Sequence, residues 1–213
     1  RKFKNFLIMI IKWTKKNFNK LFSLLNYYGI YELLKLLKSF LSVRYIIHNQ
    51  IFLGSYTLRN KKFISIGKGF KAYQNFFADA HEGGQILIGK SCIFNRNAYL
   101  TSFSEIKIGD NCLFGSNVFI TDNSHGIYSG FNQSHPLEIP VNRLISTSLI
   151  IIEKNVWIGS NVVINKGVAI GEGSIVGSNS VVTKNIPANS IAVGAPAKVI
   201  KIYSEEQKRW LKN

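Results

Sequence analysis

The sequence predicts an all-β fold: a parallel β-helix of stacked triangular coils, with an α-helical N-terminal extension and a short C-terminal helix. Three observations predict it. An apolar residue returns every six positions over most of the chain. A glycine often follows it directly. A small or β-branched residue follows four positions after it.

The repeat is strictest from residue 152. Ile152, Ile158, Ile164, Ile170, Val176 and Val182 stand six apart, and Gly159, Gly171 and Gly177 follow three of them. The fourth position after each holds Val156, Val162, Val168, Ser174, Ser180 and Ile186. Ile108, Phe114 and Ile120 form an earlier tract, Ile88 and Phe94 precede it, and Ile66-Gly67 is expected to begin the array. Six residues suffice for one short strand and one corner. Glycine is expected to supply the backbone angles of a tight corner, and β-branched residues suit the strands. One unit alone cannot bury its apolar side chain. Three units complete a coil, and stacked coils bury a continuous column.

The 213 residues are 46% hydrophobic and 18% charged, the composition of a folded chain with one sizeable domain. The net charge of +16 is uneven, because residues 1–72 hold 15 Lys/Arg against the single acid Glu32. Residues 1–48 read as a basic amphipathic helical region. In "YYGIYELLKLLKSFLSVRYII" the apolar residues Tyr31, Leu34, Leu37 and Leu41 recur at helical spacing, with Lys35 and Lys38 on another side. Residues 1–47 suit either peripheral contact with an anionic membrane surface or packing as a cap. Nucleic acid is not an expected partner, since no binding motif accompanies the charge. "FLIMIIKW" is too short to span a bilayer. A cytoplasmic location is expected, at or near the inner membrane face. The only methionine is Met9, so the chain is expected to begin inside a longer product. Cys92 and Cys112 form no disulfide framework or ligand set and are expected to be buried free thiols.

The period breaks most widely after Ile120. From Ile120 to Ile152 is not a multiple of six, so a loop, 121–149, leaves the wall. His125 stands at its start, in "FITDNSHGIYSGFNQSHP". Neutral imidazole is suited to take a proton near neutral pH. His135 is a rival in the same loop, while His48 and His81 carry no expected role. In "SEEQKRWLKN", residues 204–213, Ser204 and Gln207 form a capping box and Glu205 and Glu206 suit a helix start.

Residues 156–201, "VWIGSNVVINKGVAIGEGSIVGSNSVVTKNIPANSIAVGAPAKVIK", resemble the terminal coils of the hexapeptide-repeat acyltransferases. "TDNSHGIYSG" resembles members that modify polysaccharides. The resemblance covers roughly residues 50–201 and points to the branch acetylating sugars, capsule and lipopolysaccharide, which includes galactoside and maltose acetyltransferases. It implies a left-handed β-helix over 49–203, a homotrimer with sites between subunits, acetyl-CoA as co-substrate and no metal. By the same resemblance His125 is the general base toward a sugar hydroxyl of a surface glycan. Asn95 is an acceptor contact, Asp122 a candidate to orient the imidazole, and Phe103 replaces an acidic acceptor contact. Trp157, Ser160, Ser178, Thr183, Lys184, Lys198 and Lys201 fall at CoA-contacting positions, and the Ser160 N–H is the expected oxyanion donor. Transfer to a nucleotide sugar, an antibiotic or serine is an alternative. So is a non-catalytic β-helix scaffold. Zinc carbonic anhydrase chemistry on this fold is disfavoured, because the chain has only four histidines.

Overall fold

The computed structural model describes residues 46–47 and 50–213. The helices expected before residue 46 lie outside them. Ile46–Ile47 is a strand, antiparallel to Gln50–Phe52, so the helical region does not extend to residue 48. From Gln50 the chain winds through three walls, ten-stranded (wall 1), six-stranded (wall 2) and five-stranded (wall 3), parallel throughout except where antiparallel strands close the two ends of wall 1. The repeat residues pair from coil to coil. Phe94, Phe114, Ile158 and Val176 align in wall 1. Leu100, Ile120, Ile164 and Val182 align in wall 2. Ile66, Ile88, Ile108, Ile152 and Ile170 align in wall 3.

The solenoid therefore begins earlier than Ile66. Phe52 pairs with Ala72 in wall 1, and Leu58 with Ala78 in wall 2. The reason lies in the core. The first coils are filled by phenylalanine, with Phe52, Phe70, Phe76 and Phe94 in mutual ring contact. One bulky ring fills the space that two aliphatic residues share higher up, so Ala72, Ala78 and Ala80 suffice beside it. Above Phe114, stacked on Phe94 with ring centroids 4.0 Å apart, the filling becomes Ile and Val.

The corners correct the expected role of glycine. Gly67, Gly89, Gly109, Gly115, Gly159, Gly171 and Gly177 are absent from the residues with positive φ. They are required by the approach of the next coil. A Cβ on Gly159 would lie 2.6 Å from Ser178 N, and one on Gly109 2.5 Å from Lys154 N. The left-handed corner residues stand two places later, and most are asparagine. Asn97, Asn117, Asn161 and Asn179 have φ of 59, 59, 58 and 60° at the edge between walls 1 and 2. Asparagine tolerates that region because its short polar side chain bonds locally. Here the amides also bond to one another, in an unbroken chain from Asn75 through Asn97, Asn117 and Asn161 to Asn179 at 2.8–2.9 Å.

The C-terminus is also corrected. Lys198–Ser204 runs antiparallel to Ser190–Val193, and Arg209–Lys212 runs antiparallel to Lys198–Ser204. The capping interaction does form, since Gln207 N donates to Ser204 Oγ at 3.1 Å. Lys208 then enters the left-handed region at φ 50°, and the chain turns back. Tyr203 opposite Trp210, in edge-on ring contact, favours the hairpin over a helix.

Candidate active site

The loop leaves at the edge between walls 2 and 3, and its base is tied. Ser148 N donates to Asp122 O at 2.9 Å. From that base a two-stranded ribbon projects. Asn123–His125 pairs antiparallel with Ile145–Thr147, with His125 opposite Ile145. His125 is exposed, and its ring makes no hydrogen bond among the described residues. Its main chain, by contrast, is held. Tyr128 Oη donates to His125 O at 2.5 Å and accepts from Arg143 Nη1 at 2.9 Å. The rest of the Arg143 guanidinium donates to Pro136 O and Glu138 O. One arginine thus gathers both ends of the outer loop behind the histidine. Gly126 makes this possible. It has φ +103°, and a Cβ there would meet Tyr128 Oη at 2.5 Å. His135, the rival base, accepts Leu137 N–H on its own Nδ1 at 3.2 Å and serves its local turn.

Asp122 does not orient the imidazole, nor does it face an acceptor. It is 0% exposed. Its carboxylate accepts Phe103 N–H and Ser104 N–H at 2.8 Å each, Ser102 Oγ–H at 2.7 Å and Asn123 Nδ2–H at 3.3 Å. Four donors from the coil below and from its neighbour occupy both oxygens. Asp122 therefore fastens the loop base to the coil beneath it. Asn95 is exposed at the edge between walls 1 and 2, and its Oδ1 accepts Arg96 N–H at 3.0 Å. The left-handed corner residue is its neighbour Asn97. Asn95 and the loop base stand at opposite edges of wall 2, separated by about 16 Å of strand at ~3.3 Å per residue. Among the described residues Asn95 and His125 make no hydrogen bond to each other.

His81 has more structure around it than its sequence context suggests. Its ring stacks on Phe103 with centroids 3.9 Å apart. Its Nε2 lies 3.7 Å from Asp79 Oδ2, which Arg59 also approaches at 3.6 Å. Among the described residues, no cluster of His, Cys, Asp and Glu is gathered to hold a metal, and no helix is long and apolar enough to cross a membrane.

The coiled prism is shared with known proteins. A model described as "Bacterial transferase hexapeptide (six repeats)" matches residues 150–184, and one described as "Hexapeptide repeat of succinyl-transferase" matches 105–127. The chain is 33% identical over 187 residues to a protein of Escherichia coli K12 described as "Putative lipopolysaccharide biosynthesis O-acetyl transferase WbbJ". The match covers 87% of this chain and 95% of that protein. The chain belongs to the hexapeptide-repeat acyltransferases. Two solved acetyltransferases are similar. A maltose O-acetyltransferase from Clostridium difficile 630 is 32% identical with a TM-score of 0.57, over 68% of this chain and 73% of that one. A hexapeptide-repeat acetyltransferase from Vibrio cholerae, complexed with acetyl coenzyme A, is 27% identical with a TM-score of 0.52, over 70% of this chain and 72% of that one.

In this hexapeptide-repeat acyltransferase the expected donor-side residues fall in three places. Ser160 and Ser178 lie at the edge between walls 1 and 2, on successive coils. Thr183 and Lys184 are exposed just past wall 2, at the edge that also carries the loop. Lys198 and Lys201 are exposed on the strand that closes wall 1. Trp157 is 51% exposed on the outer face of wall 1, between Leu113 and Ile175. The Ser160 N–H is engaged, donating to Ser178 Oγ at 3.1 Å, while Ser160 Oγ accepts Ser116 N–H at 3.2 Å. In this chain the expected oxyanion donor is part of a serine ladder. To serve an oxyanion it must exchange the Ser178 hydroxyl for the new acceptor.

The sequence reading missed one contact at the loop. Lys166, on the corner of the coil above, reaches Ser124 Oγ at 2.8 Å, Ser146 Oγ at 2.6 Å and Ser146 O at 3.2 Å.

Proposed function

We propose that this acyltransferase is an acetyl-CoA-dependent O-acetyltransferase acting on a sugar hydroxyl of a bacterial surface polysaccharide or its precursor, with His125 as general base. The exposed imidazole on a backbone-anchored ribbon carries this reading. The acceptor class follows the relative of 33% identity, whose description names lipopolysaccharide biosynthesis. The donor follows the similar Vibrio cholerae structure, which holds acetyl coenzyme A.

The reaction needs little from the protein beyond placement. The sugar hydroxyl oxygen attacks the thioester carbonyl carbon as His125 takes its proton. The tetrahedral intermediate then expels the CoA thiolate, which leaves as the thiol with that proton. Such general-base catalysis is worth ~10²–10⁴ in rate. Lys184, Lys198 and Lys201 supply positive charge for the CoA phosphates, as point charges without bidentate pairing.

The full site takes more than one subunit in this reading. Asn95 and His125 occupy different edges of the prism, so a neighbour must bring one to the other. The loop presents Phe131, Leu137, Val141 and Leu144 at 70–97% exposure. Wall 2 presents stacked Phe77, Tyr99 and Phe119 between the two edges. Such surfaces suit burial between copies in a closed homotrimer. The basic segment 1–45 is proposed to hold the trimer near an anionic membrane surface. Loss of sedimentation with anionic vesicles on removing residues 1–45 tests that part.

The test of the chemistry is His125→Ala. CoA thiol release with a sugar acceptor is expected to fall ~10²–10⁴-fold, with acetyl-CoA binding unchanged by calorimetry. Full activity in that variant refutes the assignment.

A further inference from the structure

We propose that Lys166 is a positioning residue for His125: its ammonium clamps the inner face of the ribbon and thereby fixes the histidine on the outer face. The proposal rests on His125 being the base. Ser124 and Ser146 are directly opposite each other in the ribbon, so their side chains share one face. His125 is the next residue, and alternation along a strand sends its side chain to the other face. A lysine ammonium has three donors. Here all three meet acceptors, two on one strand and one on the other. Lys166 is half-buried, so these bonds are partly shielded from water.

The clamp comes from the prism rather than from the loop. Lys166 belongs to the corner after Val163–Ile164, which pairs with Phe119–Thr121, the strand that leads into the loop. The adjoining Gly167 N donates to Ser148 O at 3.1 Å. The rigid coil above therefore holds both strands of the ribbon and its base. A two-stranded ribbon alone is marginal in water, and placing a base needs better than about 1 Å, a slip that can cost ~10²-fold in rate.

The experiment uses Lys166→Met, which keeps the stem and removes the donors, and a Ser124→Ala/Ser146→Ala variant, which removes two acceptors. Hydrogen exchange of residues 123–125 and 145–147 is read in the full chain. Turnover is read as CoA thiol release with methyl galactoside, glucoside and mannoside. Both variants are expected to speed exchange in the ribbon, lower kcat ten- to hundredfold and leave the acetyl-CoA Kd within about twofold. In a His125→Ala background Lys166→Met is expected to remove nothing further. Unchanged ribbon exchange overturns the clamp. An equal further loss in the His125→Ala background, or a change confined to thermal stability, overturns the positioning role. Absence of turnover by the unmodified protein with all three sugars counts against the acceptor reading. Ribbon exchange then still decides for or against the clamp.

Discussion

Replacing Asn117 separates two demands that the corner makes on one residue. Its φ is 59°, and its amide accepts from Asn97 and donates to Asn161, both at 2.8 Å. Asn117→Gly keeps the backbone free to adopt that angle and removes both bonds. Asn117→Ala removes the bonds and also forces a Cβ into the left-handed region. Each exposed hydrogen bond is worth about 0.5–1 kcal/mol net, so glycine is expected to cost about 1–2 kcal/mol. The left-handed conformation adds about 1 kcal/mol for alanine, for a cost of about 2–3 kcal/mol. At roughly 2–4 °C per kcal/mol for a chain of this size, the expected melting temperature order is wild type, then Gly, then Ala, each some degrees apart. Thermal unfolding by circular dichroism at one fixed protein concentration reads this directly. An Ala variant as stable as the Gly variant refutes the conformational half of the reasoning. A Gly variant as stable as wild type refutes the ladder half.

Other outcomes follow from the same geometry. Gly159→Ala places a Cβ 2.6–2.9 Å from Ser178 N, Oγ and Cα; because the backbone of the next coil must move, it is expected to cost at least ~1–3 kcal/mol, read as a lower melting temperature. Asp122→Asn leaves one acceptor oxygen for three N–H groups and a hydroxyl, so it is expected to loosen the 102–104 turn and the loop base, read as faster exchange at Phe103 and Ser104. The hydrogen bond with the neighbouring Cys92 thiol, and then burial, push the Cys112 thiol well above its usual range, while the same hydrogen bond lowers Cys92. The unfolded thiol ionises first, so stability from this group is complete below pH ~8.5 and falls by up to ~1.4 kcal/mol per pH unit above it. The double variant Cys92→Val/Cys112→Val, which removes both thiols of the pair, should show a shallower alkaline decline in melting temperature than wild type. Trimers refolded from an equal mixture of His125→Ala and Asn95→Ala chains should regain about a quarter of wild-type activity if each site joins edges of two subunits in a cyclic trimer, and none if it does not.

The period was legible because every sixth residue takes the same inward place on the next wall, so burial repeats with the spacing. What glycine does was not legible. A left-handed angle and a close approach select the same residue, and only the coil above reveals which applies. The asparagines at Asn97, Asn111, Asn117, Asn155, Asn161 and Asn179 were the available signal for the angle, at a constant offset from the apolar residue. Asp122 was misread because three residues of sequence separation suggest a contact with His125. Its actual donors include Ser102, Phe103 and Ser104, some twenty residues earlier but one coil below. Lys166 was invisible for the same reason, since Ser124 is 42 residues away in sequence. In a solenoid, contacts run along the axis, across the grain of the sequence. At the C-terminus the Ser204–Gln207 bond was read correctly, but four residues do not distinguish a first helical turn from a hairpin turn.

Coil length varies only at one place. From Ile88 to Phe94, Ile108 to Phe114, Ile152 to Ile158 and Ile170 to Val176, the step from wall 3 to wall 1 is always six residues. The step from wall 1 to wall 2 is likewise six in every coil from Phe52 to Val182. Only the step from wall 2 to wall 3 changes, from Leu58 to Ile66, Ala78 to Ile88, Leu100 to Ile108, Ile120 to Ile152 and Ile164 to Ile170. Two edges of the prism are thus a fixed gauge, locked by serine and asparagine rungs, and the third is an open seam. New chain can be spliced into that seam without shifting the register of any wall. An enzyme built this way can acquire a new acceptor by rewriting one margin while its body goes on folding as before.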